Sequence, residues 1–173
     1  MKYRGIHTVI SGGQEGADLG GLDAGRSIGV ITGGTAPKGW RVCTYEGDDG
    51  FNPRLAEYGL VEATSPAYPV RTKFNVAQSD GTLLFGYMGS RGSLLTLKTC
   101  DELGKPYLDN PSIAEFYSWA KEHSIGVLNV AGNRASPTNP EIYYLTYCFL
   151  VKAHRAHPGL FYPKPIAVTN YKH

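Results

Sequence analysis

The chain is poor in cysteine, in charge and in long apolar runs. Its 173 residues hold 3 Cys, namely Cys43, Cys100 and Cys148, and they form no zinc or redox spacing. Reduced, buried thiols in a cytoplasmic protein are the expectation. No uncharged stretch approaches the roughly 20 apolar residues that a membrane-spanning helix needs. The first apolar stretch stops at Ser11-Gly12-Gly13, so no signal peptide is expected either. The 17 Lys+Arg against 15 Asp+Glu leave a formal charge of +2, which gives no reason to expect a nucleic-acid partner. No G-x-x-x-x-G-K-[ST] occurs, which excludes a P-loop nucleotidase. No G-x-S-x-G elbow or Ser-His-Asp set can be read. Ser11, Gly13 and Gly16 have the dinucleotide-motif spacing, but the first position is not Gly. No acid stands between Val30 and Arg41 to hold a ribose, which argues against NAD-dependent hydride transfer. His154 and His157 are three apart near a helix end without a carboxylate or thiol beside them, so no metal site is expected.

What is present is globular. Hydrophobic residues make up 42% and charged residues 18%, with 12 Tyr, 6 Phe and 2 Trp. This composition fits one domain with a real core rather than a solvated coil. The 22 Gly and 11 Pro stay below the share that marks low complexity. Short apolar runs alternate with helical patterns, which predicts a single three-layer Rossmann-like α/β domain with a mostly parallel sheet. Expected strands are Ile6 to Ser11, Val30 to Thr32, Leu60 to Thr64, Thr82 to Gly86, Tyr107 to Leu108 and Ile125 to Val130. Expected helices run from about Gly16 to Ile28, Val70 to Gln78, Ser93 to Leu103, Ser112 to His123, and from Glu141 onward. Ser112-Ile113-Ala114-Glu115 is a capping box. On the last helix, Ile142, Leu145, Phe149, Leu150 and Ala153 should face the sheet. Glu46 to Arg54 has no period and reads as an exposed excursion. The domain would span residues 1–156, with residues 157–173 as a Pro-rich, basic arm that includes Lys164 and Lys172.

In open parallel sheets, ligands bind beyond the carboxyl ends of the strands. Four Gly-rich loops fall on that edge: Gly12-Gly13-Gln14-Glu15-Gly16, Gly33 through Thr35 and Lys38 to Gly39, Gly89-Ser90-Arg91-Gly92-Ser93, and Gly132-Asn133-Arg134-Ala135-Ser136. Glycines let backbone N–H groups approach a ligand, and helix N-termini favour anions. Backbone groups of Gly12 to Gly16, Gly89 to Ser93 and Gly132 to Ser136 would hold phosphates. Lys38, Arg91 and Arg134 would neutralise charge, with Arg71 near the same edge. Gln14 and Asn133 would read polar edges. Glu15 would repel a phosphate and could instead meet a ribose, a base, Arg91 or Arg134. Asp18 reads as a helix-dipole partner or a ligand contact, and Asp80 as a turn residue at the opposite edge. The site predicts a phosphorylated, nucleotide-derived small molecule as ligand. Two rivals remain. One is a nucleotide hydrolase or phosphoribosyl-cleaving enzyme with Glu15 and Asp18 as its acid/base pair. The other is a nucleic-acid binder using the basic arm.

Ser11-Gly12-Gly13-Gln14 through Gly16, Asp18, Leu22-Asp23, Gly33-Gly34 and Pro37-Lys38-Gly39 resemble the circularly permuted YpsA group of the SLOG superfamily. Arg71-Thr72, Asn75-Val76, Ser79-Asp80, Thr82-Leu83, and Leu128 to Gly132 with Arg134 and Ser136 continue the match. The resemblance implies a Rossmann-like fold that binds nucleotides or nucleotide-derived signals, and assembly as a homo-oligomer, a dimer or tetramer. Members are labelled molybdenum cofactor carriers, so that cofactor is the ligand the resemblance itself implies. The chain departs from the usual pattern at Glu15 (usually Thr), Leu19 (usually Arg), Arg91-Gly92 (usually Gly-Gly) and Asn133 (usually Pro). The enzyme branch of the superfamily carries P-G-G-x-G-T-x-x-E. Laid on Gly92-Ser93-Leu94-Leu95-Thr96, its catalytic Glu position is Thr96 here, which argues against N-glycosidic hydrolysis.

Overall fold

The computed structural model describes residues 2–164. Six parallel strands form one sheet in the order β5-β2-β1-β8-β6-β7. They are β1 (Thr8–Ile10), β2 (Ile31–Ala36), β5 (Leu60–Glu62), β6 (Gly81–Phe85), β7 (Tyr107–Asp109) and β8 (Val127–Gly132). A separate two-stranded hairpin joins β3 (Arg41–Cys43) to β4 (Asp49–Phe51). The helices are α1 (Ala17–Ile28), α2 (Tyr68–Gln78), α3 (Arg91–Leu103), α4 (Ile113–Glu122) and α5 (Ile142–Ala156), with one 3-10 segment over Pro53–Tyr58. No helix among the described residues is long and apolar enough to cross a membrane.

Side chains alternate across a strand, so each strand feeds two layers. Val9, Leu83, Phe85, Leu128 and Val130 join α1, α4 and α5 in the main apolar core. Its centre is aromatic: Phe149 lies 5.1 Å from Phe85 and 5.8 Å from Phe116, ring centre to ring centre. Burying each such ring is worth about 1.5–3 kcal/mol. Opposite, between the sheet and α2/α3, buried small polar side chains, Thr72, Asn75, Thr82, Thr96, Thr99 and Asn129, sit among the buried Val76, Leu84 and Cys100. These polar groups are matched locally. Asn129 Nδ2 donates to Thr82 Oγ1 at 3.1 Å, Thr96 Oγ1 to Gly92 O at 2.9 Å and Thr99 Oγ1 to Leu95 O at 2.7 Å. One face of the sheet is thus apolar, and the other is mixed, its polar groups satisfied by short local hydrogen bonds.

The glycines of α1 serve close packing. A Cβ on Gly21 would lie 2.6 Å from Val130, and one on Gly20 would lie 2.6 Å from the Tyr143 carbonyl of α5. Ser112 and Glu115 form the capping box: Ser112 Oγ accepts from Glu115 N, and Glu115 Oε2 from Ser112 N. Those bonds hold the exposed Glu115 carboxyl below its ordinary range. Asp80 Oδ2 accepts from Gly126 N and Val127 N at the opposite edge, as a turn residue would.

Several expectations from the sequence are corrected. The second strand runs through Gly33, Gly34 and Thr35 to Ala36, because β5 pairs with Gly34 to Ala36 and Asn75 clamps both backbone groups of Thr35. Thr35 is therefore strand, not loop. Glu46 to Arg54 is largely exposed, as expected, but it is not without structure, because β4 and the start of the 3-10 segment lie within it. Leu145 is 53% exposed, and Thr146 is buried in its place, with its hydroxyl bonded to Ile142 O. All three cysteines are free thiols, but only Cys100 is buried and Cys148 is exposed. Leu160 and Phe161 are buried, and Phe161 pairs with Ile6. The end of the basic arm, including Lys172, lies outside the described residues.

Candidate functional site

Parallel pairing brings the carboxyl ends of β1, β2, β6 and β8 to one edge. The first Gly-rich turn already holds an internal carboxylate there. Asp18 is 5% exposed, and its Oδ2 accepts from Gln14 N at 3.2 Å and from the Arg71 guanidinium at 3.2 Å. Burial pushes the Asp18 carboxyl up, against the opposing pull of Arg71 and of the N–H groups of Gln14 and Gly12. Gly13 N is bonded to Ser11 Oγ and Ala17 N to Asn133 O. The N–H groups of Gly13, Gln14 and Ala17 are thus already paired within the protein.

The other candidate residues divide into braces and open groups. Gln14 bridges to the hairpin, donating to Arg41 O and accepting from Cys43 N. Arg134 reaches the same hairpin through Thr44 O. Asn133 ties the loops together through the Tyr87 backbone and the hydroxyls of Ser90 and Ser93. Ser90 caps α3 by accepting from Ser93 N, so Arg91, Gly92 and Ser93 form its first turn. Arg91 and Gly92 are exposed, and nothing lies within 4 Å of a Cβ built on Gly92. Gly89 is folded against the exposed Tyr87 ring. Gly132 packs on the Phe85 backbone. Lys38 is exposed, with its backbone N–H bonded to Ser65 O. Ser136 Oγ meets Thr138 Oγ1. Glu15 is partly buried and joins no ion pair among the described residues.

Arg71 is the cation aimed into the site. It lines a small recess with Gly12, Thr72, Asn75, Thr96, Asn129 and Ala131, where the polar layer reaches the edge of the sheet. Its guanidinium lies directly against Gly12, where a Cβ would come within 1.7 Å of Nη1. Arg71 Nε is buried without a protein partner among the described residues. Such an orphan costs about 1–3 kcal/mol unless something bonds to it. Sequence reasoning placed Arg71 at this edge but left Thr72, Asn75, Thr96 and Asn129 out of the site. Thr72, Asn75 and Asn129 stood in the motifs that carry the family resemblance and Thr96 at the enzyme branch's Glu position, but none was read as a ligand contact, because nothing local shows that α2, α3 and β8 meet at one recess.

A wider surface cleft of about 480 Å³ lies elsewhere, between α1 and α5, lined by Asp23, Arg26, Tyr143, Tyr144 and Tyr147. Asp23 accepts from the phenols of Tyr58 and Tyr143 there.

Residues 9–154 match the model of the Circularly permutated YpsA SLOG family. The chain belongs to that family. Its crystallographic relatives include a protein of Syntrophus aciditrophicus SB that bears the name "Putative molybdenum carrier protein". The two share 35% identity and a TM-score of 0.75, over 88% of this chain and 96% of the other. No curated protein matches the chain. For this YpsA-like SLOG chain, the match spans the Gly-rich edge, α2 and α3, so the recess lies within the family's shared architecture.

Proposed function

We propose that this SLOG protein binds a phosphorylated, nucleotide-derived small molecule at the carboxyl edge of its sheet. It holds the molecule unchanged, as a carrier or as a sponge that withdraws a signalling nucleotide. The observation that carries the reading is Arg71: a guanidinium packed on a side-chain-free Gly12, with an unpaired buried N–H, among small polar groups. Donors in a partly dry recess favour an oxyanion, and guanidinium geometry suits phosphate. The open first turn of α3, with Arg91 and Gly92, supplies further N–H groups and the positive end of a helix. Lys38 adds charge at the rim. Gln14, Asn133 and Arg134 support the loops from behind.

The Syntrophus relative's name, a molybdenum carrier, is compatible with a second ligand, the molybdenum cofactor that the family resemblance implies. Hydrolysis is the less supported alternative. Thr96 stands at the catalytic Glu position of the enzyme branch and spends its hydroxyl on Gly92 O. Asp18 is held by Arg71, so it is poorly placed as a free base.

Equilibrium dialysis against a panel of nucleoside mono- and diphosphates, followed by chromatography of the retained compound, tests the reading. Retention with the compound recovered intact supports it. Retention with conversion to a base or a dephosphorylated product would replace it with the enzyme.

A further inference from the structure

Three buried side-chain polar atoms lack a hydrogen-bond partner among the described residues: Tyr68 Oη, Arg71 Nε and His154 Nδ1. Two of the three sit three residues apart at the start of α2, on one helical face. Buried polar groups are ordinarily paired, so two orphans one helical turn apart, one of them on the recess-lining Arg71, need an account. Both groups donate. The Tyr68 ring has Arg41 at 4.9 Å and Arg71 at 5.7 Å, so two guanidinium charges border it. Burial raises the Tyr68 hydroxyl above the ordinary phenol value, and both guanidiniums oppose the rise. The carboxylates that balance these charges are Asp49 on Arg41 and Asp18 on Arg71. Neither is hydrogen-bonded to Tyr68 or to Arg71 Nε.

We infer that Tyr68 is a ligand-contacting residue of this site, its hydroxyl donating alongside Arg71 to a phosphate oxyanion of the ligand. The inference rests on the phosphate reading above and adds to it a residue that no sequence motif singled out. A neutral phenol donor beside a cation suits an acceptor with several lone pairs. It offers nothing to a purely apolar ring. Its role is to make binding depend on an oxyanion at this position, so a nucleoside lacking phosphate is rejected.

The test uses Tyr68→Phe, which removes one oxygen and keeps the ring between the two guanidiniums. The probes are ADP, inorganic phosphate and adenosine, titrated by calorimetry beside thermal unfolding of the free protein. The expected result is an affinity for ADP and phosphate lowered about tenfold, because a hydrogen bond to a charged acceptor is lost. Unfolding of the free protein should be unchanged or shifted upward, because a buried unpaired hydroxyl is gone. Arg71→Lys, which keeps the charge but loses Nε–H, should weaken the same probes. Unchanged affinity in Tyr68→Phe, with ADP bound by the wild type, would overturn the inference and leave the phosphate reading standing. Lower thermal stability with unchanged affinity would do the same and make the hydroxyl structural. A wild type that binds neither ADP nor phosphate would overturn both.

Discussion

Arg71 lies across Gly12 so closely that a Cβ at that glycine would be 1.7 Å from the guanidinium Nη1. The same guanidinium is 3.2 Å from Asp18, a carboxylate with a side chain only 6% exposed. A missing side chain on β1's outgoing turn therefore makes room for a charge from α2. Gly12→Ala should expel Arg71. Phosphate-ligand affinity should fall at least tenfold, since a charge-assisted bond is lost. The protein should also lose stability at neutral pH, because Asp18 is left buried without its partner. Calorimetry and thermal unfolding check the two effects together.

Asp18 sets a pH dependence. Burial raises its native carboxyl above the unfolded value, despite Arg71. The native state therefore binds this proton more tightly than the unfolded chain. The associated stability is fully present below the unfolded value, near about 4, and is lost as pH rises through the native one. Asn carries no such cost. Asp18→Asn should gain on the wild type as pH rises from acid to neutral, with the two closest at low pH. Paired unfolding curves across that range measure it.

The α1–α5 contact rests on a glycine. Gly20→Ala would place its Cβ 2.6 Å from the Tyr143 carbonyl oxygen, a backbone atom that cannot rotate away. The helices must separate, at about 1–3 kcal/mol. The gain in helix propensity from Gly to Ala is about 1 kcal/mol, so it does not offset the upper part of that range. Chemical denaturation should show a lower midpoint.

Asp23 joins three elements by accepting from Tyr58 of the 3-10 segment and Tyr143 of α5. Desolvation, with Asp23 next, raises both phenols above their ordinary value. Asp23→Ala should cost about 1–3 kcal/mol in stability. It should also lower the pH at which these tyrosines ionise, as read by ultraviolet absorbance on alkaline titration.

Much of the fold was legible because its signals are local. The apolar Leu83-Leu84-Phe85 and Leu128 to Val130 runs could be read as buried strands, and Ser112 with Glu115 as a helix start. The hairpin was not legible. Arg41–Cys43 and Asp49–Phe51 are each 3 residues long, and Gln14 and Arg134 hold the β3 side of the hairpin from far along the chain. Leu145 was misplaced because periodicity rewards apolar residues, whereas Thr146 can be buried once its hydroxyl bonds within the helix. At the site, glycine clustering located the edge. It could not reveal that Arg71 of α2 reaches over Gly12 to the Asp18 carboxylate, since that contact joins residues 53 apart in the chain. The polar layer of Thr72, Asn75, Thr96 and Asn129 exists only in three dimensions.

Whether a phosphorylated small molecule is held at all should turn on Arg71. Native mass spectrometry of freshly purified wild type and Arg71→Gln, with release and identification of any adduct, tests it most directly. The expected result is a phosphorylated adduct on the wild type, recovered intact, and none or far less on the variant. An adduct retained equally by Arg71→Gln, or one without a phosphate, would contradict it.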